Sequence, residues 1–123
     1  MPLIFRDPVA RAAITTLTAT QTALAATQAW TSVSGAFSIT SGNYDVDVSG
    51  GVASATFPAS PVNGQMHMFK VNAANVNTFT LSRAGAQTIE QANGSFATTF
   101  VFSTANQEQG FFYESATSRW RAF

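Results

Sequence analysis

The single histidine, His67, lies in the run Met66-His67-Met68-Phe69-Lys70, so a catalytic triad or an imidazole-based metal site would have to be built around one ring. General acid-base chemistry most often uses histidine, but a packed or a surface histidine in a strand is the expected reading. With no cysteine in the chain, and no serine in a G-x-S-x-G elbow or an S-x-x-K pair, nucleophilic catalysis has no visible starting point. Asp45 and Asp47 alternate with Tyr44, Val46 and Val48, which places both carboxylates on one strand face. A hard cation needs several more oxygens and a loop to wrap it, so a solvated pair is expected and no metal. The scattered acids could supply a glycosidase pair only across a cleft. Ser49-Gly50-Gly51 reads as a tight turn rather than a phosphate loop, and Asn93-Gly94-Ser95 as a hairpin turn rather than a glycosylation site. Arg119-Trp120-Arg121 could stack on a sugar or a base. A terminal strand with Trp120 inward and the arginines outward is the simpler account. No catalytic residue and no cofactor is expected, and the chain reads as not an enzyme.

The elements that would position these residues are short strands. Val33–Ile39, Tyr44–Val48, Val52–Phe57, Met66–Val71, Thr78–Leu81, Thr88–Glu90, Phe96–Phe102, Gly110–Glu114 and Arg119–Phe123 alternate or are β-rich, and turn residues separate them every 8 to 12 positions. Such spacing predicts an all-β domain, an antiparallel β-sandwich of jelly-roll type. Phe57, Phe69, Phe79, Phe96, Phe100, Phe102 and Phe111 would fill its core. Some of Phe5, Phe112 and Phe123 would remain for contacts between chains; the face bearing Met66, Met68 and Lys70 could adapt to a neighbour, or its methionines could equally fill the core.

Composition changes near Trp30. Residues 8 to 29 hold eight alanines and no glycine, and all eight glycines lie from Gly35 onward. Residues 1–30 are therefore read as an N-terminal arm with a short helix, and 31–123 as the sandwich. Asp7-Pro8 is a helix-start signal, and Ile14, Leu17, Gln21, Leu24 and Gln28 follow a 3-4-3-4 stripe suited to packing between chains. Six threonines between Thr15 and Thr27 oppose the helix, so an extended arm lying on a partner competes with it. Leu3, Ile4 and Phe5, with Arg6 and Arg11, have no evident partner within the chain and would contact another surface.

Six basic and six acidic residues cancel, and charged residues make up 10% of the chain against about 25% in an ordinary soluble domain. Nucleic acid and anionic membrane are not expected partners. The start of the chain lacks the pattern of a signal peptide, so synthesis in the cytoplasm is expected. Low charge suits a protein that lives in an assembly.

Three blocks bear a further likeness. Ala55-Thr56-Phe57-Pro58-Ala59-Ser60-Pro61-Val62-Asn63-Gly64-Gln65 ends a strand in hydrophobic-Pro and re-enters through Asn-Gly. Asn77-Thr78-Phe79-Thr80-Leu81 continues to Gly85 and Thr88-Ile89, and Phe112-Tyr113 precedes Arg119-Trp120. In this order they resemble bacteriophage virion modules of capsid decoration proteins, head fibres and tail fibres, over about residues 38 to 123. The chain departs from the commoner form at Glu90-Gln91-Ala92-Asn93-Gly94, where a glycine-rich turn is usual. The resemblance implies an all-β module, commonly trimeric, without catalytic residues. The expected function is a decoration (cement) protein on the capsid exterior of the virion. It would bind the major capsid protein as a homotrimer, through Leu3, Ile4, Phe5, Arg6 and Arg11, with Ile14, Leu17, Gln21 and Leu24 between chains. The alternative is a receptor- or glycan-binding module of a head or tail fibre.

Overall fold

In the computed structural model, residues 29–72 and 77–123 are described, and they form an all-β fold. Eleven strands run in chain order: β1 Trp30–Ser34, β2 Ala36–Ser38, β3 Asn43–Asp47, β4 Ala53–Thr56, β5 Met66–Val71, β6 Phe79–Ser82, β7 Thr88–Glu90, β8 Phe96–Ala97, β9 Thr99–Phe102, β10 Glu108–Glu114 and β11 Arg119–Ala122. The larger sheet has the order β1-β3-β5-β10-β11-β7-β8 and the smaller one β2-β4-β6-β9. The arm and its expected helix, with Leu3, Ile4, Phe5, Arg6, Arg11, Ile14, Leu17, Gln21 and Leu24, lie outside the described residues.

The expected antiparallel pairing needs correction, because both sheets are mixed. β1 and β3, β3 and β5, β2 and β4, β4 and β6, and β11 and β7 all pair in parallel. The cause is local. Gly35, with φ of +61°, turns the chain between β1 and β2 within one residue, a conformation L side chains avoid. From β1 to β7 successive strands alternate between the sheets, and each return to a sheet runs in the same direction as the last; β8, β9 and β10 then run antiparallel to their neighbours β7, β6 and β5. The run Val33–Ile39 is accordingly two strands, and Phe96–Phe102 is broken at Thr98 into β8 and β9.

The parallel coils stack like on like. Val33 faces Val46, and Val46 faces Val71. On the smaller sheet Phe37 faces Ala55, which faces Leu81. Both sheets turn these residues into one core, where Phe69 of β5 meets Phe79 and Phe102 of the smaller sheet at ring distances of 5.7 and 6.3 Å. Phe57 lies stacked on Trp120 at 4.1 Å and edge-on to Phe111 at 5.6 Å. Fully burying such a side chain contributes about 1.5–3 kcal/mol, so this aromatic centre dominates the fold's stability.

Candidate functional site

His67 is buried in β5. Its Nδ1 is 2.8 Å from the Gly42 carbonyl and its Nε2 is 2.9 Å from Nε2 of Gln65. The consistent assignment has Nδ1–H donating to Gly42 and Nε2 accepting from the Gln65 amide. Gln65 in turn accepts from the Val62 N–H through Oε1. Both ring nitrogens are thus committed to holding loops, and burial pushes the imidazole pKa below its ordinary value.

A second polar cluster is centred on Gln87. The indole Nε1 of buried Trp120 donates to Gln87 Oε1 at 3.0 Å, and Gln87 Nε2 donates to the Pro58 carbonyl at 2.8 Å. The Ala84 N–H also donates to Gln87 Oε1. The three resembling blocks meet here: Phe57-Pro58 from the first, Gln87 from the second, Trp120 from the third. The first and third meet again where Asn63 Oδ1 accepts from the Ser115 N–H at 3.0 Å and the Gly64 N–H donates to the Tyr113 carbonyl at 2.8 Å. The blocks are the fold's internal fastenings. Gln87 was not singled out by the sequence reading; the signal lay in Trp120, since a buried indole N–H calls for an acceptor.

Asp45 and Asp47 share the outer face of β3, as alternation predicts. Asp47 is exposed; the Ser49 hydroxyl and then the Ser49 N–H, the latter at 2.8 Å, hold its carboxyl below the usual range and close the turn after β3. Asp45 stands in register between Ser32 and Lys70. Among the described residues no group of three His, Cys, Asp or Glu is placed to hold a metal. Trp120 points into the core while Arg119 and Arg121 point outward. Arg121 pairs with Glu90 at 2.7 Å and Glu114 at 3.5 Å, and Arg119 lies 4.3 Å above the Phe96 ring. Phe96 is therefore a half-buried surface platform, not the core residue its phase with Phe100 suggested.

No protein-family model matches the chain, and no curated protein matches it.

What the geometry does assemble is a surface. On the outer face of the larger sheet Met66 faces Phe112, Met68 faces Gly110, and the Phe123 ring lies over Gly110 beside Phe112, the two rings 6.3 Å apart. Met66 is 56% and Phe123 53% exposed. Gly110 admits this ring because it has no Cβ; one built there would stand 2.4 Å from the Phe123 ring. The strip runs between Asp45, Lys70 and Glu108 on one side and the paired Arg121, Glu90 and Glu114 on the other. Hydroxyls of Ser38, Thr56, Ser82 and Thr99 cross the outer face of the smaller sheet in one row.

Proposed function

We propose that this chain is a bacteriophage capsid decoration (cement) protein, a homotrimer that binds the major capsid protein on the outside of the head shell and stabilises it. The observation that carries the reading is the apolar strip of Met66, Met68, Phe112 and Phe123 on a rigid, sparsely charged sandwich. Methionine and phenylalanine on an outward sheet face suit burial against a neighbouring chain. The likeness of the three sequence blocks to phage virion modules supports the same reading, since those blocks serve the fold rather than a reaction.

The action is mechanical. A protein that binds only the closed shell stabilises it by mass action, and three linked contacts raise the effective concentration of each. In this reading Leu3, Ile4, Phe5, Arg6 and Arg11 contact the shell, and the segment holding Ile14, Leu17, Gln21 and Leu24 joins the chains. Addition of the recombinant protein to undecorated capsids, followed by imaging, tests it. Ordered density at symmetric positions on the shell is the expected result. Binding to cells or immobilised glycans without capsid binding would replace the reading with a receptor module of a head or tail fibre.

A further inference from the structure

The two ends of the sandwich are finished differently. At one end β8 has only two residues, and the Thr99 carbonyl, on the side of β9 away from β6, accepts from the Gln91 amide at 2.8 Å. At the other end β1 is, among the described residues, a five-residue edge, Trp30-Thr31-Ser32-Val33-Ser34, without charge, proline or bulge. Those are the devices that normally keep an edge from pairing. Because the Ala29 carbonyl accepts from the Asn43 N–H on the β3 side, strand alternation turns the N–H and C=O of Trp30, Ser32 and Ser34 away from β3, to a side where no described strand pairs with them. The edge is also apolar beyond its backbone. Val33 is only half-buried where Val46 and Val71 behind it are fully covered, and Trp30 is 46% exposed.

The chain supplies a segment of the matching kind. Threonine recurs at 16, 18, 20 and 22, with Leu17, Ala19, Gln21 and Ala23 between, a period of two in an uncharged, β-branched run. Thr18, Ala23 and Thr27 recur as Thr31, Ala36 and Thr40, an offset of 13 residues, which is also the offset that sets Trp30 against Asn43. Yet Thr22 stands where Gly35 makes the positive-φ corner, and no glycine precedes Gly35. Nor does Leu24-Ala25-Ala26-Thr27-Gln28-Ala29 offer a turn residue for a hairpin back onto β1. With no corner or turn residue to bring it back, the sequence of this segment suits the β1 edge of another copy better than its own.

We propose that the open edge of β1 takes residues 16–23 of a second copy of this chain as an added strand. Passed from each copy to the next, the exchange closes a ring. That the ring has three members rests on the trimer proposed above; the exchange itself does not depend on capsid binding.

The test uses the full chain without capsids. Ser32→Pro removes an outward N–H but no bond to β3, and proline is tolerated on the open side of an edge strand. Sedimentation equilibrium is expected to give a trimer for the unaltered chain and a monomer with an unchanged far-ultraviolet circular dichroism spectrum for Ser32→Pro. An unaltered chain that is monomeric, or a Ser32→Pro chain that stays trimeric, overturns the proposal. The 13-residue register would set Ala19 of one copy against Ser32 of the next. An Ala19→Cys chain mixed with a Ser32→Cys chain is therefore expected to form a disulfide between the two variants on mild oxidation. A bond found only within a doubly substituted chain, or Ser32→Cys bonding to itself, would assign the edge to the chain's own arm or to a β1–β1 dimer and sink the exchange. Loss of capsid binding by an intact trimer would count against the decoration reading alone.

Discussion

At the residue scale, the side chains that most resembled chemistry prove to be fastenings. His67 could be placed on the inner face of a strand from its alternation with Met66 and Met68, and it lies there. Its partners, Gly42 and Gln65, depend on loop paths that alternation does not report. The protonation consequence is directional. Burial holds the folded-state pKa of His67 below the ordinary 6.5, so as pH falls through 6.5 the unfolded chain takes up a proton that the folded chain resists. The stability associated with neutral His67 is full above that value and declines below it, until the lower folded pKa is reached. Melting temperature is expected to fall between pH 7 and pH 5, and His67→Gln should flatten that part of the profile; an equally steep profile in the variant would refute the assignment. Gln87 is the more consequential residue. Gln87→Ala strands the Trp120 indole and the Pro58 carbonyl and should lower stability by about 2–4 kcal/mol, measurable by urea unfolding. A loss below about half a kcal/mol would show that solvent replaces the amide.

Among the elements, strand positions were largely legible and strand partners were not. Met66–Val71 and Thr88–Glu90 have the predicted bounds, because period-two burial is written into each segment by itself. Pairing is a property of two segments, and the alternation of Val46 is equally compatible with a parallel or an antiparallel neighbour. The first coil turns at Gly35, a single residue inside a run that otherwise reads as one strand. Gly35→Val is expected to cost about 1–2 kcal/mol from the left-handed backbone alone, since nothing lies within 4 Å of an added Cβ. A denaturant midpoint unchanged from that of the unaltered protein would mean the corner can be made another way.

For the whole molecule, the all-β class was readable from strand spacing and the sparse charge, while the mixed topology was hidden in which coil returns to which sheet. The proposed division between residues 1–30 and the two sheets can be tested by truncation. Deleting residues 1–12 removes Leu3, Ile4, Phe5, Arg6 and Arg11 but keeps residues 16–23. The shortened chain should melt within a few degrees of the full one, keep its oligomeric state and lose capsid binding. A sharp fall in melting temperature would show that the terminus packs on the sandwich, and retained binding would move the shell contact to the apolar strip.

The position of β10 carries a consequence for how the protein is born. This strand, Glu108–Glu114, lies between β5 and β11 in the middle of the larger sheet, yet it is made only after β1, β3 and β5. Until it emerges, the stacked coils β1, β3 and β5 end in a bare flank whose Phe69 lacks the cover of Phe111. Such unpaired flanks invite aggregation during synthesis. The larger sheet is therefore expected to close only after β10 has been made, in one late step. A chain stopped after Gln107 should yield insoluble or protease-sensitive material; a soluble, protease-resistant product would show that the early coils stand without their central strand.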